Sequence, residues 1–264
     1  MKILNFLFSR SKQEQDKPIR DKLKTRKDFE RVLAEDLDIM ETTKARMDTA
    51  KNINLYMYRS LSYSYILILQ SKYSVDAKID ELRDIYIKSM HYFLQAFNKR
   101  NPIYADILNY VSLGVLLNIP DNNFRQLIDY VKQMDKQAKP SGWTPDLLLW
   151  FMLNSRMKEQ EKQKYAETLV YPRLYNGLYK VIQAPNAAAA KDALNKYLDR
   201  WYNLNSNAPW YNSHLKDNSY RGYWAWEVAA VAKIMHIDDS DLKNNQYYPY
   251  DMVHWENNET TAKE

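Results

Sequence analysis

Apolar residues recur at spacings of three and four along much of the chain, and this pattern predicts a series of amphipathic helices. The pattern is clearest over residues 76–98. The apolar positions there are Ile79, Leu82, Ile85, Tyr86, Met90, Phe93, Leu94 and Phe97. Strand-like alternation is hard to find, and four glycines are few for a protein with many hairpins or glycine-rich turns. The sequence therefore predicts an all-α fold, a multi-helix bundle of antiparallel helical hairpins.

Capping residues predict where three further helices begin. Asn101-Pro102, Asp121 and Thr144-Pro145 each combine a capping side chain or a first-turn proline with a following apolar run. We expect the inward face after Asp121 to be formed by Phe124, Leu127, Ile128, Val131 and Met134. The helical period also covers three later segments, residues 171–183, 186–202 and 219–236.

A chain boundary is predicted at residues 139–145, where two prolines and one of the four glycines fall together. It would separate an N-terminal helical domain (20–140) from a C-terminal one (141–255), with a basic, flexible arm at 1–19 and a disordered acidic tail at 256–264. Residues 113–124 resemble residues 231–242, since both join an apolar helix, an isoleucine and an acidic turn. Two related helical halves would explain this, and so would helix–turn chemistry alone.

The net charge of +5 belongs to the start of the chain. Residues 1–31 carry 10 basic and 5 acidic side chains (10 − 5 = +5), whereas residues 32–264 carry 28 of each (28 − 28 = 0). From Ile237 onward seven acidic residues face only Lys243 and Lys263. The body is thus neutral between a basic start and an acidic end.

Sequence features of most catalytic and cofactor sites are missing. The chain has no cysteine, its glycines are isolated, and its four histidines form no metal-binding spacing. The acidic run from Asp238 to Asp241 lacks the glycine and glutamate of a calcium loop, so a helix cap is favoured there. We therefore expect no metal, no cofactor and no enzyme activity. The first apolar stretch is too short for a leader, and no run reaches the ~18 residues of a membrane span, so we expect a cytoplasmic protein.

Aromatic residues are numerous, with 22 tyrosines and 7 tryptophans interleaved with lysine and arginine. Such interleaving occurs in proteins that stack nucleic-acid bases. Most of these rings, however, fall at helix-core spacing, as Tyr197 and Trp201 do, and basic excess is confined to the arm. Core packing is favoured, and a helical nucleic-acid-binding or adaptor protein that uses residues 2–31 stays the alternative.

The most informative segment is Y-R-G-Y-W-A-W-E-V-A-A-V-A-K at residues 220–233. Its alanines allow helices to approach closely, and its aromatic rings bury a large area. Glu227 lies among apolar neighbours, where a carboxylate must find hydrogen-bond donors or take up a proton. A structural role, in which it binds loop backbone amides, is favoured over that of a catalytic acid.

This segment resembles the C-terminal signature of the PoNi-type immunity proteins. The matching residues continue through Ile237-Asp238-Asp239 and Tyr247-Tyr248-Pro249-Tyr250-Asp251, and Met252 stands where leucine is usual. A looser similarity covers residues 19–23 and Phe29. The residues interpreted as a structural signature are Tyr220, Arg221, Gly222, Tyr223, Trp224, Trp226 and Glu227.

The resemblance implies an all-α protein that binds and neutralises a cognate antibacterial toxin, a nuclease delivered by contact-dependent or type VI secretion. It carries over no catalytic residues. We also expect no nucleic-acid ligand and no membrane contact, and a homodimer stays open. The candidate toxin-binding residues are Asp238, Asp239, Asp241, Tyr247, Tyr248, Tyr250 and Asp251. Carboxylates would face cations of the toxin, and tyrosine is common among interface hot spots. The basic net charge departs from the acid that nuclease inhibitors often present.

Overall fold

The computed structural model describes residues 18–96, 103–136, 143–216 and 218–261. In these stretches the chain forms ten α-helices and no strand, which confirms the all-α prediction. The helices are α1 (Arg26–Thr49), α2 (Leu55–Val75), α3 (Ile79–Ala96), α4 (Tyr104–Leu116), α5 (Asp121–Lys136), α6 (Leu147–Asn154), α7 (Pro172–Ile182), α8 (Ala187–Leu204), α9 (Trp226–Met235) and α10 (Tyr250–Thr261). The predicted arm at 1–19, except its last two residues, and the predicted cap Asn101-Pro102 lie outside the described residues.

Packing groups the helices into two compact units that are interleaved in sequence. The first comprises the described residues up to Ala96 together with Asn212–Tyr223, and the second comprises those of Phe97–Tyr211 and Trp224–Glu264. The division of the chain into domains at 20–140 and 141–255 stays a prediction about independent folding.

In the first unit α2 packs against both α1 and α3. Short connections join the three helices, so consecutive helices run antiparallel. The core between them includes Leu33 and Met40 of α1 and Leu61, Tyr65 and Ile68 of α2. Four serines of α2 are buried as well, namely Ser62, Ser64, Ser71 and Ser74. Small buried side chains let the neighbouring helices come close to α2.

In the second unit α4 packs against α9, and α7 packs against α8. Gly177 of α7 lies so close to α8 that a Cβ atom there would stand 2.7 Å from Cδ2 of Tyr197. Asp135 of α5 binds three donors from later in the chain: Trp143 Nε1 at 2.9 Å, Trp150 Nε1 at 2.7 Å and the Tyr165 hydroxyl at 2.9 Å. A single carboxylate therefore ties α5 and α6 together.

The internal sequence similarity corresponds to one helix-ending motif that is used twice. Asn118 after α4 and His236 after α9 are both left-handed, with φ of 42° and 52°. The next residue, Ile119 or Ile237, is buried and donates its N–H back to Gly114 O or Ala232 O. This is the hydrogen-bond pattern of a Schellman cap, which accounts for the repeated sequence.

The predicted helix after Asp121 is confirmed, since α5 begins there and all five expected inward residues are buried. The cap predicted at Thr144 is wrong by two residues, because the N-cap of α6 is Asp146. Its buried carboxylate accepts from Leu149 N–H at 2.8 Å, from the Tyr104 hydroxyl at 2.9 Å and from Val170 N–H at 2.7 Å. Burial nevertheless raises the pKa of Asp146.

The tail predicted at 256–264 begins inside α10, which continues to Thr261. Glu256 accepts a hydrogen bond from Lys233 Nζ at 2.9 Å and a second from Asn118 Nδ2. Beside it, Trp255 Nε1 donates to Leu116 O at 3.0 Å. These contacts anchor the start of the predicted tail, and residues 262–264 lie outside the described residues.

Candidate functional site

The helix predicted at 219–236 begins only at Trp226, and the residues before it are not helical. Gly222 has a φ of 106°, a conformation that strongly favours glycine. Tyr220 on one side of it is buried and donates its hydroxyl to Asp21 Oδ2. Tyr223 on the other side is also buried, and its hydroxyl accepts from the His214 N–H at 3.0 Å. The first half of the signature is therefore held by side-chain hydrogen bonds within the first unit.

Arg221 forms a buried, two-point ion pair with Asp36 of α1. Its Nε donates to Asp36 Oδ2 at 2.6 Å and its Nη2 to Asp36 Oδ1 at 2.8 Å. Its carbonyl accepts from Ser74 Oγ at 2.9 Å. Burial still raises the pKa of Asp36, although the guanidinium opposes that rise. The ion pair holds the Arg221 side chain inside the protein. Its assignment to a structural role stays a prediction.

The loose N-terminal similarity corresponds to residues that receive this segment. Asp21 accepts from the backbone N–H of Leu23 at 2.8 Å and of Lys24 at 2.9 Å, in addition to the Tyr220 hydroxyl. Phe29 packs against Tyr220, with ring centroids 5.8 Å apart. Arg20 caps the end of α2 by donating to Tyr73 O and Ala77 O. Residues from the N-terminal and the C-terminal parts of the resemblance are thus in contact within the first unit.

The second half of the signature lies in the other unit. Trp224 and Trp226 are buried, with ring centroids 6.1 Å apart. Glu227 keeps some exposed surface, but its carboxylate is densely surrounded by protein and accepts from Trp201 Nε1 at 2.6 Å. The loss of hydration raises the pKa of Glu227 to about 7. The hydrogen bonds to this carboxylate come from an indole and from its own backbone N–H, where bonds from loop amides were expected.

The two exposed carboxylates of the acidic turn lie against α8. Lys191 Nζ is 2.8 Å from Asp238 Oδ2 and 3.3 Å from Asp241 Oδ1. Asn195 Nδ2 donates to Asp241 Oδ2 at 2.9 Å. The Lys191 hydrogen bond lowers the pKa of Asp238, and the Asn195 hydrogen bond lowers that of Asp241. Both carboxylates are therefore ionised, and one lysine holds them.

The third carboxylate of the turn is internal. Asp239 is 2% exposed and accepts from the Tyr248 hydroxyl at 2.7 Å, and Tyr248 is itself 2% exposed. His254 Nε2 lies 2.7 Å from the other oxygen, Asp239 Oδ1. Tyr250 is half-buried and packs on the His254 ring, while Asp251 is exposed. Asp239 and Tyr248 hold the turn from inside, and Tyr250 and Asp251 reach the surface.

Tyr247 belongs to a group of stacked aromatic rings. It lies parallel to Tyr202 of α8, with centroids 5.3 Å apart and planes within 4°. Tyr202 stacks in turn on Tyr211, with centroids 4.5 Å apart. The buried Trp201 contacts Tyr247 at 5.5 Å and stacks on Trp210 at 5.4 Å. Four of these five rings are half-buried, so the group is exposed along an edge.

Helix α8 brings the acidic and the aromatic groups together. Lys191, Asn195 and Tyr202 follow one another at helical spacing on one face, and Lys191 and Tyr202 lie about 16 Å apart along the axis at ~1.5 Å per residue. We call this surface the α8 strip, made of Lys191, Asn195, Tyr202, Trp210, Tyr211, Asp238, Asp241 and Tyr247. The residues from α8 and its C-terminal loop were missed from the sequence. The helical spacing of Lys191, Asn195 and Tyr202 was the available signal.

Within the described ranges, no group of three or more histidine, aspartate or glutamate side chains could hold a metal ion. No helix in the same ranges has the length and apolar character needed to cross a bilayer.

Comparison with known proteins supports the fold first. A solved structure, protein PA2201 from Pseudomonas aeruginosa, is similar with a TM-score of 0.69 and 18% sequence identity. The similarity covers 96% of this chain and 93% of that one. No curated protein matches the sequence.

The model of the N-terminal part of the PoNe immunity proteins (PoNi) matches residues 11–129, and the model of the C-terminal part matches residues 144–252. The chain therefore belongs to the family of PoNe immunity proteins.

Proposed function

We propose that this protein neutralises a cognate antibacterial toxin by non-covalent binding through the α8 strip. The toxin is of the DNase type, delivered by a secretion system such as type VI, and it is met in the cytoplasm, where its substrate lies. Membership of the immunity family supports the general role. The location of the proposed interface is supported by one observation, the half-exposed stack of Tyr202, Tyr211 and Tyr247 beside the ionised carboxylates of Asp238 and Asp241.

Half-exposed stacked tyrosines suit protein recognition. Tyrosine and tryptophan offer large contact areas with few rotatable bonds, and they are enriched among residues that dominate binding energy. Tyr202 is fixed between Tyr211 and Tyr247, so ordering these rings on binding costs little entropy. The aromatic end of the strip is therefore the anchor of the proposed interface.

The acidic end of the strip would contribute orientation more than affinity. Asp238 and Asp241 are exposed and share Lys191, and exposed ion pairs of this kind contribute little because water and salt screen them. A cation of the toxin would have to compete with Lys191. Charged groups at an interface rim mainly affect the association rate and its salt dependence. Tyr250 and Asp251 extend this rim, whereas Asp239 and Tyr248 support it from inside.

The decisive experiment is co-expression with the toxin encoded beside this gene. Wild-type protein is expected to relieve growth arrest and to co-elute with an inactivated toxin on a sizing column, which also reports the stoichiometry. The variant Tyr202→Ala with Tyr247→Ala should bind about thirtyfold more weakly, as expected for an interface hot spot. Tyr56→Ala is the matched control, because Tyr56 is 74% exposed and belongs to the other unit.

Three results would overturn the proposal in different ways. Unrelieved arrest with no complex would refute the immunity role. Full binding by the double tyrosine variant would move the interface away from the strip. Equal loss in the Tyr56→Ala control would point to the first unit instead.

A further inference from the structure

Glu227 is linked to the aromatic rings of the α8 strip through the side chain of Trp201. Its carboxylate accepts from Trp201 Nε1 at 2.6 Å, and the Trp201 ring packs on Tyr247 and on Trp210. The backbone makes a second link, because the Ala225 N–H donates to Tyr247 O at 2.8 Å. The start of α9 is thus joined to the aromatic end of the strip twice.

The titratable groups that face Glu227 are phenols. Tyr197 comes from α8, Tyr175 from α7 and Tyr104 from α4, and the Glu227 charge raises the pKa of each in addition to burial. Asp146, at the start of α6, acts on Tyr104 and Tyr175 in the same direction. Two hydrogen bonds favour the ionised form of Glu227, the larger from its own backbone N–H and the other from Trp201 Nε1. The indole bond is thus the side-chain hydrogen bond that supports the charge.

We infer that Glu227 is a positioning residue that holds Trp201, and through it Tyr247 and Trp210, in the arrangement that binds the toxin. This inference rests on the proposed function of the α8 strip. A hydrogen bond to an ionised acceptor is roughly twice as strong as one to a neutral acceptor. The carboxylate therefore fixes the indole best when it is charged, and a neutral side chain of the same shape leaves the rings less ordered.

The inference predicts a particular pH profile for binding. The pKa of Glu227 is about 7, so toxin affinity should rise about fivefold between about pH 6 and about pH 8 as the charged form accumulates. Glu227→Gln keeps the shape and an oxygen acceptor but cannot ionise. Its affinity should be lower at the higher pH and should not show this rise.

The experiment is titration calorimetry of the inactivated toxin against four proteins at both pH values. They are wild type, Glu227→Gln, Trp201→Phe and the double variant. Trp201→Phe keeps an aromatic ring, removes the donor and reduces the buried ring area. The smaller ring lowers the affinity at both pH values, and the loss of the donor should flatten the profile although Glu227 is intact. Adding Glu227→Gln to this variant should change little, because without the indole donor the charge at position 227 no longer strengthens this hydrogen bond. Titration of the toxin's own groups is common to all four proteins and cancels in their ratios.

Outcomes separate this inference from the proposed function. If no complex forms, or if Tyr202→Ala with Tyr247→Ala binds normally, the function assigned to the strip fails. If the strip variants weaken binding while Glu227→Gln keeps the wild-type affinity and profile, only the positioning role fails. If Glu227→Gln does not fold, the ratio of wild-type affinity to Trp201→Phe affinity still tests the inference, because a ratio that stays constant between the two pH values contradicts it.

Discussion

The carboxylate of Glu227 is expected to weaken the fold whenever it is charged. It is surrounded by protein, and loss of hydration raises its pKa from 4.5 to about 7. A group whose pKa is higher in the folded state contributes stability in full below its unfolded pKa and loses it as the pH rises through the folded value. Glu227→Gln cannot ionise, so it should become progressively more stable than wild type over this interval.

The size of the effect follows from the pKa. A rise from 4.5 to about 7 corresponds to about 3 kcal/mol at about 1.4 kcal/mol for each pH unit, and the partial exposure of the side chain reduces this to about 2–3 kcal/mol. The amide of glutamine has its own cost, but that cost does not vary with pH. The free energy of unfolding of Glu227→Gln minus that of wild type should therefore increase by about 2–3 kcal/mol between about pH 4.5 and about pH 8.

Urea denaturation followed by circular dichroism, repeated at several pH values, measures this difference directly. Asp21, Asp36 and Asp146 also have raised pKa values, and their contributions are common to both proteins. A difference that stays constant with pH would refute the reasoning, because it would mean that Glu227 is as well hydrated in the fold as in the unfolded chain. The same substitution is expected to weaken toxin binding, so stability and function should change in opposite directions.

Three further predictions concern the first unit. Asp36→Leu should cost about 3–5 kcal/mol in chemical denaturation because it leaves a buried guanidinium unpaired, and adding Arg221→Met should recover much of the loss. Gly222→Ala should lower the unfolding free energy by about 1–2 kcal/mol, measured by thermal melting, because alanine is strained at a φ of 106°. The fragment 1–140 should lack cooperative unfolding in urea. A covalently linked copy of residues 212–223 should restore it, because that segment belongs to the first unit. Cooperative unfolding of the fragment alone would contradict the interleaved packing.

Helices with a regular apolar period could be predicted from the sequence, whereas polar residues in the core obscured the pattern of others. The face of α5 could be assigned because its apolar residues recur without interruption and all of them are buried. The burial of α2 is harder to recognise, because serines such as Ser71 and Ser74 occupy core positions and blur the contrast between faces. The cap Asp146 depends on donors from Tyr104 and Val170, which are distant in sequence.

The candidate site shows the same division. The region 238–251 could be located by its composition and its resemblance to a family, but exposure could not be assigned to single residues. Asp238 and Asp239 are neighbours in sequence, yet the first is exposed and the second is buried against Tyr248. Tyr202 belongs to the candidate site because the chain around Tyr247 packs against α8. This contact joins distant parts of the sequence, so the sequence pattern could not predict it. The helix predicted at 219–236 likewise begins only at Trp226, since Tyr220 and Arg221 instead bind Asp21 and Asp36.

The interleaving of the two units has a consequence for synthesis on the ribosome. Asp36, Asp21 and Ser74 are made early, but their partners Arg221 and Tyr220 emerge only after most of the chain has been translated. Until then the newly made α1 and α2 carry an unpaired internal carboxylate and an unfilled docking site, and such incomplete states are prone to aggregation. Contacts between residues so far apart in the chain also slow folding. A cell that relies on this protein for protection would therefore need a reserve made in advance, because a chain still being synthesised when a toxin arrives lacks its last structural partners.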